Sequence, residues 1–323
     1  MSDLHAIPEA LPRRRSRLAR ELAVHDWLVL GYHTLIFCFA LSGAGPLYRH
    51  SIEKSAAILF FSAAGIVAHR AGLLVGERFG VLVYRLAVYG GVQISYFALR
   101  DILPTFAPYT YDEALYRLDL ALFGFEPSLS WQRFVSPATT EYFAFFYWGY
   151  YPLLAAYVLP MLFYPRDQAR FADFALSMLL VFCASHLLYF AVPGFGPVRH
   201  LAHVYEHDLS GGVFYRWVIE TVTTGGAQKD IFPSLHTAGP STIALFAFRH
   251  RAVSPYRWVW LPTSLFVANI IVATMFLRWH YLVDVIAGLC LAGLVAVVAP
   301  RITAWETRRR DTPAWASLWG SYR

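Results

Sequence analysis

The chain has 323 residues, of which 57% are apolar and only 15% are charged, and its formal net charge is +6. So little charge in so apolar a sequence excludes an ordinary soluble globular protein and predicts a polytopic membrane protein. Only Lys54 and Lys229 are lysines, so the positive charge is carried by arginine, and we attribute it to membrane topology instead of a nucleic-acid partner.

Eight apolar stretches are long enough to cross a membrane, since a hydrocarbon core of roughly 30 Å needs about 20 apolar residues per helix. The sequence therefore predicts an all-α integral membrane protein, a helical bundle of about eight transmembrane helices. The predicted spans are residues 27–45, 56–76, 81–103, 141–164, 170–192, 234–250, 256–277 and 280–299. His69 and Arg70 interrupt the second span, and the sixth is so short that it could begin in a recessed pocket.

The distribution of cations sets the predicted topology, because cytoplasmic segments are enriched in Lys and Arg. With the N-terminus inside, the cations on the outer side are Arg49, Lys54, Arg100, Arg117, Arg133, Arg199, Arg216, Lys229 and Arg278. The other 18 of the 27 cations fall on the inner side. Both termini are therefore predicted to be cytoplasmic. The first span is too long for the core of a cleaved signal and is predicted to stay.

The chain divides into five predicted parts. They are a basic tail (1–26), three N-terminal spans (27–103), an extracytoplasmic segment (104–140), a catalytic membrane core (141–300) and a C-terminal tail (301–323). The segment 104–140 mixes aromatic, acidic and apolar residues. It is predicted to form amphipathic helices at the membrane interface, and a plain connecting loop is the open alternative.

The stretch KDIFPSLHTAGP (229–240) places His236 at the beginning of the sixth predicted span. That span and the eighth both begin on the outer side, near Ser234 and His280, so their N-termini lie at similar depth. Pro233 suits the first position of a helix. Because helix N-termini present free N–H groups and a partial positive charge, the two ends together predict an anion site with two imidazoles.

The stretch RWHYLVD (278–284) pairs His280 with Asp284 at a spacing of i, i+4, which places both side chains on one face of a helix. A carboxylate that accepts from one ring nitrogen fixes the tautomer and leaves the other nitrogen free as a nucleophile. An ionisable residue one turn into a membrane helix is costly, which indicates function. Arg199 and Arg278 are the predicted phosphate clamps, because guanidinium groups bind phosphate oxygens bidentately.

Each of these features has an ordinary explanation when it is taken alone. A histidine at a helix start is often a polar residue at the interface, a His-x-x-x-Asp pair is often a structural hydrogen bond, and arginines bind lipid headgroups. Their conjunction on the outer side of one parallel helix pair favours catalysis.

A second histidine cluster offers a metal site as an alternative. In RHLAHVYEHD the spacing of His200, His203 and His207 could ligate a metal, with Glu206 or Asp208 nearby. A polar outer loop is the favoured interpretation, so no metal is predicted.

Three motifs together resemble the type 2 phosphatidic acid phosphatase superfamily of membrane enzymes. They are GPVR (196–199), PSLH (233–236) and RWHYLVD (278–284). Within that superfamily the chain is most similar to the branch that contains the inositol phosphorylceramide synthases, which also has an acidic-Leu-Phe-Gly element like DLALFGFEP (119–127). The resemblance covers roughly residues 100–295.

The resemblance implies a six-helix phosphatase-type core preceded by two N-terminal spans. It implies that His280 attacks phosphorus to give a phosphohistidine-type intermediate, that Asp284 orients it, and that His236 protonates the leaving group. It implies no metal or other cofactor. The residues implied to hold the phosphoryl oxygens are Arg199, Arg278 and Ser234.

The chain departs from the phosphatase pattern at several positions. Val192 stands where the superfamily has a lysine, Leu235 where a glycine precedes the histidine, and Ala273 and Thr274 where Ser-Arg is usual. Arg278 is the expected substitute for the missing arginine. These departures favour the transferase-like branch over a plain phosphatidate phosphatase.

The sequence thus predicts a lipid phosphotransferase with its active site on the extracytoplasmic face. It would move a phosphorylated headgroup such as phosphoinositol from a phospholipid donor to a lipid alcohol acceptor such as ceramide. A lipid phosphate or diphosphate phosphatase is the main alternative, and a non-catalytic lipid-binding or transport protein is the third. The preference for Arg over Lys slightly favours a bacterial cytoplasmic membrane.

Overall fold

The computed structural model describes residues 22–163 and 167–309 of the chain. The predicted basic tail falls almost entirely outside these residues, as do Arg166 and the last 14 positions of the predicted C-terminal tail. In the described part 77% of the residues are helical and no strand occurs. One isolated parallel bridge joins Gly194 to Asp230.

Thirteen helices are numbered here in chain order. They are α1 (Val24–Leu41), α2 (Tyr48–Arg70), α3 (Arg78–Phe106, with a π-helical turn at Leu86–Gly90), α4 (Asp112–Phe123), α5 (Pro127–Ser130), α6 (Pro137–Trp148), α7 (Tyr150–Phe163), α8 (Gln168–Ala191), α9 (Pro197–His200), α10 (Val213–Gly225), α11 (Leu235–Arg249), α12 (Tyr256–Phe276) and α13 (Leu282–Arg309). A 3₁₀ turn at Gln132–Phe134 follows α5.

Six of these helices, α1, α2, α3, α8, α12 and α13, are long and apolar enough to cross a membrane. The prediction of an all-helical, multi-pass membrane protein is therefore confirmed, while the count of eight spans stays a prediction. The predicted span 141–164 is divided into α6 and α7 at Gly149. Pro152 has no N–H to donate to the carbonyl of Trp148, so the helical hydrogen bonds are interrupted there. The predicted span 234–250 forms α11, which has only 15 residues.

The second helix begins eight residues before its predicted start, because charged residues near its beginning lie inside the helix. Arg49 donates to Glu53 one turn later at 2.8 Å, and Lys54 pairs with Asp101 of α3. Pairs at i, i+4 stabilise the surface of a helix even where the sequence is polar. The charged residues therefore limit the apolar stretch, but the helix continues through them.

The first and last described helices meet at one end of the bundle. The N–H of Val24 donates to the Glu306 carboxylate at 3.0 Å. Helix α13 reaches Arg309, ten residues past its predicted end at 299 and into the predicted C-terminal tail. The two ends of the described chain therefore lie together, as the predicted topology requires, although the side of the membrane stays a prediction.

The loops that carry the sequence motifs meet at the opposite end of the bundle. Three backbone hydrogen bonds join these loops: Tyr111 N to Pro193 O at 2.8 Å, Val198 N to Arg278 O at 2.7 Å, and Ser234 N to Asp284 O at 3.0 Å. The last two of them link the three motifs directly. These bonds bring segments far apart in sequence to one place.

The close approach of α11 and α13 depends on Gly288. A Cβ atom at this position would lie 2.7 Å from the Ser234 carbonyl oxygen and 3.2 Å from Thr237 Cβ. The absence of a side chain lets the beginning of α11 pack directly on the first turns of α13. This contact holds the two predicted histidine motifs side by side.

Candidate active site

Two histidines and an arginine of the three motifs line a single cavity of about 430 Å³. They are His236, His280 and Arg199, and the half-buried Asp230 lies on the same wall. The remaining predicted site residues, Asp284, Ser234 and Arg278, are not on the cavity wall, and their positions are described below.

His280 lies in the turn before α13 and not on the helix itself. The helix begins at Leu282, so the expected arrangement of His280 and Asp284 on one continuous helix is wrong. The N–H groups of Trp279 and His280 both donate to the carbonyl of Thr274, at 3.0 and 3.2 Å, which reverses the chain between α12 and α13. The left-handed backbone of Arg278, with φ of 67°, completes this turn.

Asp284 still reaches His280, because it lies in the first turn of α13. Its Oδ2 is 3.5 Å from His280 Nδ1 and accepts the N–H of Tyr281 at 3.0 Å. A separation of 3.5 Å is longer than an ordinary hydrogen bond, and such contacts often tighten when substrate binds. Asp284 is fully buried, which leaves the imidazole as the natural partner for its charge.

His236 lies in the first turn of α11, which begins near Ser234 as predicted, with Ser234 as its N-cap. Pro233 stands one residue before that cap and not at the first helical position. The imidazole stacks on Tyr147, with the ring centroids 4.3 Å apart and the planes at 9°, and it also contacts Tyr150 at 4.4 Å. Its Nε2 is buried and has no partner among the described residues. The stacking fixes the ring while leaving Nε2 free.

Arg199 is brought to the cavity by a tight turn at residues 194–196. The Asp112 carboxylate accepts the N–H groups of Phe195 and Gly196, the latter at 2.8 Å. Gly196 has φ of 83°, and a Cβ there would collide with the carbonyl oxygen of Trp279, so the turn packs directly beside His280. The Arg199 guanidinium lies 4.6 Å from the centre of the Phe195 ring, and the side chain is exposed at the mouth of the cavity.

Arg278 and Ser234 do not face the cavity in this structure. The Arg278 guanidinium lies 3.6 Å from the centre of the Tyr205 ring and donates to the carbonyl of His207 at 2.6 Å. The Ser234 hydroxyl is buried without a partner among the described residues. Their contact with phosphate therefore stays a prediction, and it requires both side chains to rotate.

Three aspartates of the site were missed from the sequence. Asp119 of α4 accepts the N–H groups of Leu282 and Val283, at 2.7 and 2.8 Å, and so caps the beginning of α13 from another segment. Asp112, two turns earlier on α4, holds the turn before Arg199. Their spacing of seven residues places both on one helix face, which was the available signal.

Asp230 is the third missed residue, although it stands inside the stretch that contains His236. Its carboxylate accepts the Tyr96 hydroxyl at 2.6 Å. Burial raises the pKa of Asp230 above the ordinary aspartate value, against the opposing effect of that hydrogen bond. The segment 104–140, which provides Asp112 and Asp119, contains α4, α5 and the 3₁₀ turn, while its position at the membrane interface stays a prediction. Three of its four acidic residues, Asp112, Asp119 and Glu126, are buried in the protein interior.

The outer-loop histidines are not gathered around a common point. Among the described residues no group of three His, Cys, Asp or Glu side chains is placed to hold a metal ion. His200 instead lies 3.2 Å from the Glu113 carboxylate, and His203 and His207 are exposed.

Comparison with known proteins gives one match. The family model described as the PAP2 superfamily, the type 2 phosphatidic acid phosphatases, matches residues 113–298, close to the range expected from the motifs. Neither the curated proteins nor the solved structures contain a significant match.

Proposed function

Because the chain belongs to the PAP2 superfamily, whose members are lipid phosphatases or phosphotransferases, we propose that it transfers a phosphorylated headgroup between lipids. The proposed donor is a glycerophospholipid such as phosphatidylinositol, and the proposed acceptor is a lipid alcohol such as ceramide. The observation that carries the proposal is the placement of His236, His280 and Arg199 on the wall of one cavity.

The first proposed step forms a covalent intermediate. His280 attacks phosphorus through Nε2, since its Nδ1 faces Asp284, and the bond between phosphorus and the glycerol oxygen breaks. His236 gives its proton to that oxygen, and diacylglycerol leaves. Asp284 stabilises the positive charge on the His280 ring, while Arg199 balances the charge that grows on the phosphoryl oxygens.

The second proposed step regenerates the enzyme. The hydroxyl of the acceptor attacks phosphorus, its proton passes to His236, and the bond between phosphorus and His280 breaks. Nine of the residues that line the cavity are Phe, Tyr or Trp, and their rings limit the water that could take the place of a lipid alcohol. No step requires a group that the chain does not provide.

Hydrolysis is the second candidate, and the exposure of Arg199 favours it. This side chain lies at the mouth of the cavity, so water can reach the phosphoryl group from the side opposite the lipid. A phosphatase would use the same residues with water as the acceptor.

One assay separates these functions. The purified protein in liposomes would receive headgroup-labelled phosphatidylinositol with and without ceramide, and phosphatidate in parallel. Label on ceramide supports transfer, and phosphate released from phosphatidate supports hydrolysis. We expect His280→Ala to remove either activity and EDTA to leave it unchanged. The matched control is His203→Ala, which replaces an exposed outer-loop histidine and should retain full activity. A protein that forms neither product, or a His280→Ala variant that forms both normally, ends the proposal.

A further inference from the structure

The cavity continues from the two histidines into the helix bundle, and its inner wall is rich in tyrosine. Tyr147, Tyr150 and Tyr151 come from the junction of α6 and α7, and Tyr189 comes from α8. The hydroxyl groups of these four tyrosines make no hydrogen bond to any described residue. Hydroxyl groups in a buried site need partners, so this part of the wall is suited to a polar occupant.

His186 adds a ring nitrogen to the same wall. The Tyr32 hydroxyl lies 2.6 Å from Ser95 Oγ and 2.8 Å from His186 Nδ1, and the Ser95 hydroxyl donates to the carbonyl of Val92 at 2.7 Å. When Tyr32 donates to Ser95, His186 donates from Nδ1 to the Tyr32 oxygen, which leaves Nε2 unprotonated and able to accept.

The free nitrogen of His186 is buried and unused. The side chain is fully buried and lines the cavity, and its Nε2 has no partner among the described residues. Asp230 supplies a second acceptor, since Tyr96 donates to only one of its oxygens, Oδ2. The wall thus combines two acceptors with four hydroxyl groups that can both donate and accept.

This combination matches a ligand with several neighbouring hydroxyl groups, each of which donates one hydrogen bond and accepts others. An acyl chain in the same place would leave His186 Nε2 and the tyrosine hydroxyls without partners, at a cost for each. The tyrosine rings meanwhile offer flat apolar surfaces for the C–H face of a ring. The volume of about 430 Å³ lies in the usual range for small-molecule sites, roughly 300–1,000 Å³.

We propose that His186, Asp230 and the four tyrosines form a subsite for a polyhydroxylated headgroup, a cyclic polyol or a sugar, attached to the phosphate that His236, His280 and Arg199 hold. This inference rests on the proposed function, because the phosphoryl group fixes one end of the headgroup. A site built to hydrogen-bond substrate hydroxyls rejects substrates that lack them, so the subsite determines which phospholipid is the donor.

Kinetics with two donors test the subsite. Turnover of phosphatidylinositol and of phosphatidate, with identical acyl chains, would be compared in mixed micelles. We expect His186→Phe to lower the preference for phosphatidylinositol, the ratio of the two kcat/KM values, by about tenfold, the size of one lost hydrogen bond to a buried group. His186→Gln, whose side-chain oxygen replaces Nε2 as an acceptor, should restore part of it.

Single hydroxyl groups provide a finer test with a matched control. Tyr189→Phe should lower the same ratio, whereas Tyr157→Phe should not, because the Tyr157 hydroxyl bonds Thr263 at 2.8 Å outside the cavity. Equal losses for both donors, or an unchanged ratio in His186→Phe and Tyr189→Phe, overturn the subsite.

A binding measurement separates failure of the subsite from failure of the proposed function. The probes are myo-inositol 1-phosphate and glycerol 1-phosphate, added to the His280→Ala protein in nanodiscs and followed by calorimetry. Tighter binding of the inositol probe, weakened about tenfold by adding His186→Phe, supports the subsite even if no lipid is turned over. Equal binding of both probes overturns it, even if His280-dependent chemistry is found.

Discussion

Two clusters of buried polar groups lie at opposite ends of the bundle, and they differ in how their hydrogen bonds are completed. At the end where the termini meet, the Asp26 carboxylate accepts from Ala23 N at 2.8 Å, from Arg70 Nε at 2.8 Å and from the Tyr84 hydroxyl at 2.6 Å. Both of its oxygens have partners and its charge is balanced by Arg70. Asp26 and Asp284 are both fully buried, so burial does not distinguish the two ends.

At the cavity end the polar atoms are left incomplete. His236 Nε2, His280 Nδ1, Asp284 Oδ1 and Ser234 Oγ are buried without partners among the described residues. Each such group costs about 1–3 kcal/mol, a cost that the Asp26 carboxylate avoids. We infer that the Asp26 cluster serves stability, whereas the cavity end keeps its hydrogen-bonding groups for the proposed substrate.

Exchanging one aspartate at each end for asparagine tests this difference most directly. Asp284→Asn removes the charge that orients His280, and we expect the rate of headgroup transfer or release to fall roughly 10²–10⁴-fold with little change in melting temperature. Asp26→Asn leaves Arg70 without its counter-charge and should cost about 3–5 kcal/mol of stability, with normal activity per folded molecule. Rate and melting temperature would be measured in one detergent.

The comparison fails if the two variants behave alike. A melting temperature lowered equally by both, together with full activity in Asp284→Asn, would mean that the cavity end is as structural as the terminal end.

A smaller effect is expected from Asp119, which positions the cavity end without touching its ligand. Asp119→Ala leaves the N–H groups of Leu282 and Val283 without their acceptor, so the turn that holds His280 and Asp284 loses its anchor. We expect kcat to fall about fivefold, since a lost cap is worth ~1 kcal/mol, with a smaller change in KM. Steady-state kinetics with phosphatidylinositol would measure both.

The matched control is Glu113→Ala on the same helix. Glu113 pairs with Arg117 at the exposed surface, where ion pairs contribute little, so its kinetics should match those of the unsubstituted chain. Equal losses in both variants would mean that α4 acts through its surface and not through the cap of α13.

The histidine motifs could be placed from sequence because helix N-termini carry a local signature. Ser234 and its following apolar helix, and the acidic residue in the first turn of α13, follow from capping and charge rules that involve near neighbours. These rules brought His236 and Asp284 close to their observed places. They did not predict that His280 precedes its helix, because the reversal between α12 and α13 depends on the left-handed backbone of Arg278.

The missed aspartates show where such rules end. The hydrogen bonds that Asp119 accepts from Leu282 and Asp112 accepts from Gly196 join residues more than 80 positions apart. The sequence of α4 does not indicate which N–H groups its aspartates will bind. The segment that contains α4 was predicted to lie at the membrane interface, and charged side chains usually face water, so no buried role was expected for its aspartates. The unprotonated Nε2 assigned to His186 is even harder to predict from the sequence. It depends on hydrogen bonds among three side chains that come from α1, α3 and α8.

The smallest predicted effect concerns the pH dependence of stability at the cavity end. Burial raises the pKa of Asp230 above 3.8, so the folded protein holds this proton at pH values where the unfolded chain has lost it. The contribution of Asp230 to the free energy of unfolding is therefore largest below pH ~4. That contribution is lost as pH rises through the raised pKa of Asp230. Asp230→Asn cannot ionise, so its melting temperature should fall less between pH 4 and pH 8.

Subtracting the two melting curves isolates Asp230, because Asp119 and Glu126, whose pKa values burial also raises, are present in both proteins. The control Asp208→Asn changes an exposed carboxyl group of the outer loop and should leave the pH dependence unchanged. Parallel curves for Asp230→Asn and the unsubstituted chain would mean that the Asp230 carboxyl group has the same pKa in the folded and the unfolded chain. Asp230 would then face the cavity as an ionised carboxylate, which accepts hydrogen bonds from a polyol without first losing a proton.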